Sequence, residues 1–314
     1  ELSTVLLTQG EFAEAEQLLP DCLNVCQERG ELWLRSYAWY VMSMVQHATG
    51  RLDESLVSCK ESLRIKRHFH DVLGIVLCVD NLARLSLEAG DPETAYAFAA
   101  RGCELRDGLL AEHLRGRGVA AAALGRTAEA IGHLSEAVRL ARESGQAMPV
   151  RLVAALGALG AALAEERRWA DAGAVLAEAL ALAAGPAWRG MRAPLLAARA
   201  KARFRQGDAD EAMTLYGEAL ALAEAVGDDA TVATVCGELA TVHVARGEHE
   251  DARRLAERAL EVDRSRGRDR AVVRDLIALG RLGDGDRLSE ALSLAKRIGF
   301  AEGQAVALAE LGAV

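Results

Sequence analysis

The sequence predicts an all-α protein, a solenoid of about eight helix hairpins with a period near 40 residues. Three observations lead there. Half of the 314 residues are apolar, yet aromatics reach only 4% and prolines number five, a composition rich in Ala and Leu, which lose little side-chain freedom in a helix. One turn phrase recurs along the whole chain. Each recurrence is followed at a fixed distance by a second small residue, so that two small side chains share one helix face.

The turn phrases are GEFAEA (10–15), GRLDES (50–55), GDPETA (90–95), GRTAEA (125–130), RRWADA (167–172), GDADEA (207–212), GEHEDA (247–252) and DRLSEA (286–291). Their starts lie 40, 40, 35, 42, 40, 40 and 39 residues apart. Gly opens most of them and a small residue stands five positions later; Arg167 and Asp286 take the Gly position in two. In RQGDADEA (205–212), Gly207 permits a tight turn, Asp208 and Asp210 suit a helix start, and Ala212 allows close packing.

The helix after each turn is marked by Cys22-Leu23, Ser62-Leu63, Ala137-Val138, Ala179-Leu180, Ala219-Leu220 and Ala259-Leu260, seven residues past the small residue. The helix before it carries a large residue beside a small one at Met42-Ser43, Leu82-Ala83, Leu159-Gly160 and Leu239-Ala240, with Trp39 eleven before Gly50. This spacing resembles the tetratricopeptide repeat over nearly the whole chain. The resemblance implies a right-handed superhelical array of helix pairs. A period near 40 implies helices extended by about a turn, or longer links such as LARESGQAMP (140–149) and LAEAVGDDAT (222–231). One array is expected over 1–314, cut from a longer protein, with 302–314 starting a ninth unit.

Composition narrows function by exclusion. A net charge of −9 argues against a broad nucleic-acid face, which needs accumulated Lys and Arg. The longest apolar run, Leu152–Ala164, is too short to span a bilayer and reads as a buried helix. Six cysteines without a paired framework fit a reducing cytoplasm, and Cys22 and Cys26 read as buried structural thiols. RIKRHFHD (64–71) reads as a basic helix end, and GRLGDGD (280–286) as the eighth turn with extra glycines, since no strand precedes it and no Lys-Ser/Thr follows. No cofactor, metal or catalytic constellation is expected.

In tetratricopeptide arrays the concave surface is lined by the first helix of each pair. By counting back from each Gly, the resemblance assigns to it Tyr37, Tyr40, Met44 and His47 in the second unit and Asp80, Asn81 and Arg84 in the third. Arg115 follows in the fourth, and Lys201 and Arg205 in the sixth, while the fifth offers Ala154, Ala158 and Ala161. Some members hold a partner's C-terminal carboxylate with Lys and Asn clamps. Asn81 matches one clamp position, but Tyr40, Met44, Glu112 and Gly116 replace the others, so that mode is not expected.

The extended repeats also resemble the helical sensor arms of large bacterial regulators, the STAND ATPases and LuxR-type ATP-binding activators. That resemblance implies a regulatory module binding a peptide, a protein segment or a small effector, with a nucleotide-binding or DNA-binding domain elsewhere in the parent chain. The alternatives are a passive scaffold and an accessory domain of an enzyme.

Overall fold

A computed structural model describes residues 2–9, 11–105, 110–143 and 149–312. Gly10, and the central part of the link at 140–149, lie outside them. The described residues form helix pairs: α1 (Leu2–Gln9) with α2 (Phe12–Glu28), α3 (Leu32–Ala48) with α4 (Leu52–His68), α5 (Val72–Glu88) with α6 (Pro92–Glu104), and α7 (Leu110–Ala123) with α8 (Thr127–Glu143). Then come α9 (Pro149–Glu165) with α10 (Trp169–Leu182), α11 (Arg189–Arg205) with α12 (Ala209–Val226), α13 (Asp229–Ala245) with α14 (His249–Ser265), and α15 (Asp269–Arg281) with α16 (Gly285–Arg297); α17 (Ala301–Leu311) follows. No strand occurs among the described residues.

The 40-residue period comes from helix length. α3, α4 and α5 each have seventeen residues and three-residue links, so left-handed residues fall at 30, 50, 70 and 90, and again at 207, 227, 247 and 267. Each link closes its helix in the same way. Gly50 N–H donates to the His47 carbonyl at 3.0 Å and Arg51 N–H to the Gln46 carbonyl at 2.8 Å, a pattern that requires positive φ at the middle residue. Arg167 (φ 58°) and His70 (φ 56°) hold this conformation without being glycine. Caps start the next helices: Asp208 accepts from Glu211 N–H at 3.1 Å and Asp228 from Thr231 N–H at 3.1 Å.

The last hairpin departs from the predicted alignment. α15 and α16 have thirteen residues each, and the left-handed position is Gly283, with Asp286 inside the first turn of α16. The buried residue five past the turn is therefore Leu288 rather than a small residue. It occupies the space left by Gly280, whose missing side chain would collide with it.

By its contacts the chain divides into two compact units, Glu1–Ala158 and Leu159–Val314. In each, first helices of successive pairs pack side by side, as α5 on α7 and α11 on α13, and second helices such as α4 and α12 fill the space between their own first helix and the next. The small positions act as spacers. Ala172, Ala179, Ala212, Ala219, Ala252 and Ala259 are fully buried, while Gly118 and Gly160 admit Leu134 and Leu176. Cys22 is the exception: it was expected to be buried and is exposed.

Candidate interaction surface

In the first unit, the last turns of α3 and α5 bring together three of the predicted residues around one that sequence reasoning missed. The Arg84 guanidinium donates to Asn81 Oδ1 at 2.6 Å and to Glu88 Oε1 at 2.8 Å, and its Nη1 lies 3.0 Å from His47 Nε2. His47 Nε2 is in turn 2.6 Å from Glu88 Oε2, so the cluster ties consecutive pairs together. Glu88 was findable, because it stands one helical turn beyond Arg84 and such pairs meet on a helix face. Burial raises its carboxyl pKa, but the His47 hydrogen bond and the Arg84 charge outweigh that and hold it below the usual range.

Asn81 does not present itself to solvent. It is buried, and its amide donates to Ser43 Oγ at 3.3 Å and Cys59 Sγ at 3.5 Å, so it supports Arg84 from beneath. Tyr40 is likewise half core: it packs on the cluster containing Cys59, Leu63 and Cys78, and burial, with neighbouring acidic groups, pushes its phenol up to about 12. Met44 is the exposed apolar side chain of this face. Tyr37 lies away from the cluster, toward the start of α3, its ring tilted at 51° to that of Trp33 with centroids 4.7 Å apart and with Lys66 Nζ 3.6 Å from its ring centre.

Farther along the unit, Asp80 faces the buried His113 at 3.9 Å. Arg115 lines a half-open cavity of about 150 Å³ with Ala111, Glu112, Val150, Arg151 and Ala154, in which Arg151 is ion-paired to Glu112. The surface lining the cavity is mainly apolar.

In the second unit the expectation of a basic site around Lys201 is corrected. Lys201 Nζ lies 3.4 Å from Glu165 and 3.5 Å from Glu238, so carboxylates from the first helices on either side bracket it. Arg205 is exposed at the end of α11. His243, Glu248 and Asp251 place ligand atoms within 4.8 Å of one another, but Arg246 Nε donates to Glu248 at 3.0 Å, so a cation there would meet a guanidinium.

Comparison with known proteins agrees with this geometry. Tetratricopeptide repeat models match residues 191–265 and 1–29, and a model described as anaphase-promoting complex subunit 5 matches 116–157. No match was found among curated protein sequences. Three solved structures share the fold. A Rap protein complexed with Competence and Sporulation Factor is 14% identical with a TM-score of 0.68, over 98% of this chain and 94% of its own. The apo quorum sensor NprR of B. thuringiensis is 14% identical with a TM-score of 0.64, over 98% and 90%. The Cut9–Hcn1 hetero-tetramer of the APC/C gives 16% and 0.61 over 89% of this chain; this chain spans about half, 48%, of the Cut9–Hcn1 chain it matches. The protein is an all-helical array of tetratricopeptide type.

Proposed function

We propose that the chain is a non-catalytic sensor array that binds a peptide or protein segment, or a small effector, on the first-helix face of its first unit. The observation that carries this reading is the His47–Arg84–Glu88 cluster. It joins consecutive pairs at a solvent-facing surface next to the exposed Met44, and so offers charge and soft apolar area together. The fold shared with a quorum sensor and with a factor-bound Rap protein supports a signalling role.

A ligand that bridges α3 and α5 changes the array only by binding one arrangement of the pairs more tightly than another. On this reading the array runs as one arm from 1 to 314 in a cytoplasmic bacterial transcriptional regulator, with nucleotide- and DNA-binding carried by other domains. No helix among the described residues is long and apolar enough to cross a membrane.

The test is a random-peptide display selection on the whole chain. Selected peptides lose at least about tenfold in affinity when Met44→Ala is combined with Arg84→Ala, and small-angle scattering of the array changes on binding. Unchanged affinity rejects this face; retained sensitivity with unchanged dimensions favours a passive scaffold.

A further inference from the structure

The core shared by α3, α4 and α5 is more polar than the rest of the array. Eleven polar or charged residues are buried among the described residues, and nine of them lie between Ser36 and Ser86. Within this core Ser43 Oγ is 3.0 Å from Ser55 Oγ, and Ser62 Oγ donates to the Ser36 carbonyl at 2.7 Å. Such a core gains less from apolar burial than one of Leu and Ala, and it opens locally at lower cost.

Two sulfurs meet inside it. Cys59 of α4 and Cys78 of α5 are both 0% exposed. Cys59 Sγ is 3.6 Å from the Cys78 carbonyl oxygen, and Cys78 Sγ is 3.4 Å from Ser62 Oγ, three residues further along α4. The two thiols also hydrogen-bond each other. The fold does not call for sulfur at this place. At the same register and the same separation of nineteen residues, other junctions have Leu19 with Ala38, Leu176 with Leu195 and Tyr216 with Val235.

The two thiols are not equivalent. The hydrogen bond from Cys59, helped by Ser62 and the charge of Lys66, holds the Cys78 thiol below its usual range against the effect of burial. The same contact, together with burial, pushes the Cys59 thiol up. Cys78 is therefore the nucleophile of the pair and Cys59 its resolving partner.

We infer that Cys59 and Cys78 form an oxidisable dithiol, closed by a peroxide to a disulfide between α4 and α5, and that closure is felt at Arg84. First the Cys78 thiolate attacks one peroxide oxygen. The O–O bond breaks, the sulfur becomes a sulfenic acid, and the hydroxide released takes up the thiol proton as water. The Cys59 sulfur then attacks the sulfenic sulfur, the S–O bond breaks, and the departing hydroxide leaves as water with the Cys59 proton. Two thiols thus lose two electrons to one peroxide and give one disulfide and two waters. Hydrogen peroxide is small enough to enter by local opening, whereas a bulky oxidant such as oxidised glutathione is not.

Asn81 connects the pair to the surface. Its amide donates to Cys59 Sγ at 3.5 Å, and its Oδ1 accepts from Arg84 at 2.6 Å. Bonding to Cys78 draws the Cys59 sulfur from Asn81 and disturbs the seat of the guanidinium. This coupling rests on the sensor reading of the His47–Arg84–Glu88 cluster.

The test treats the folded whole chain with hydrogen peroxide, alkylates the remaining thiols under denaturing conditions and maps the peptides by mass spectrometry. Expected is a linked Cys59–Cys78 peptide that a dithiol reductant removes. In Cys59→Ser, with helicity intact by circular dichroism, the linkage is lost and dimedone traps Cys78 as the sulfenic acid. The dithiol is overturned if both thiols stay reduced while the exposed Cys22 oxidises, if their linkage forms only after unfolding in urea, or if Cys22 links to Cys26 alone. Peptides from the display selection that depend on Arg84 are expected to bind the oxidised chain at least about threefold more weakly, with no such change in peroxide-treated Cys59→Ser. Unchanged affinity on a chain that carries the linkage overturns the coupling. If no selected peptide depends on Arg84, the sensor reading fails and the coupling with it, while a linked Cys59–Cys78 peptide still upholds the dithiol.

Discussion

His47 of α3 and Glu88 of α5 meet at 2.6 Å across the junction of two helix pairs, forty-one residues apart in sequence. This contact depends on both helices keeping phase. It also sets a pH response. The Glu88 carboxyl is held below its unfolded value, so its contribution is present at neutral pH and is lost as pH falls below about 4.5. Glu88 is 43% exposed, so Glu88→Gln is expected to lower stability at pH 7 by no more than about 1 kcal/mol and to leave acid stability nearly unchanged. Urea denaturation at the two pH values reads this difference.

Asp275 on α15 behaves in the opposite sense. Burial, and then the charge of the neighbouring Asp263, push it up to about 8 from an ordinary 3.8, while Arg274 and Arg268 act against the shift. The folded state thus holds a proton that the unfolded chain releases. The contribution is complete below about pH 4 and is lost as pH rises toward 8. Asp275→Asn is expected to flatten the decline in melting temperature between about pH 5 and 8; an unchanged slope would show that Asp275 ionises normally.

Two classes of helical glycine separate by sign. At Gly160 an added methyl would stand 2.5 Å from Leu176 Cγ, and at Gly118 the same distance from Leu134 Cγ. Ala at either position is expected to destabilise by about 1–3 kcal/mol through overpacking. Gly132 and Gly217 have nothing within 4 Å, and Ala there is expected to stabilise by up to about 1 kcal/mol. Chemical denaturation of the four single variants decides it.

The left-handed links give a third contrast. Arg167→Gly relieves a side chain at φ 58° and is expected to stabilise by about 1 kcal/mol, whereas Gly247→Ala at φ 79° is expected to destabilise by a similar amount. Equal shifts of the same sign would refute the link geometry.

Much of the fold was legible because its determinants are local. Gly207, Asp208 and Ala212 encode a turn, a cap and a close approach within six residues, and each does that work in the structure. The last turn was misplaced at Asp286 because the short α15 and α16 break the 20-residue rhythm, and Gly283 rather than the aligned position takes positive φ. Surface readings were less legible. Counting placed Asn81 and Arg84 on one face, but only packing shows that Asn81 lies beneath and that Arg84 is held by Glu88.

By itself, then, the sequence determined the helices, their turns and their stacking period, because propensity, capping and positive φ act within a few residues. Tertiary structure decided which side chains remain available. Lys201 reads as a free cation until Glu165 and Glu238 are brought to either side of it, and Cys22 reads as core although its side chain is exposed. Such outcomes, as at Lys201, depend on residues about one repeat apart and are fixed only when the helix faces are in contact.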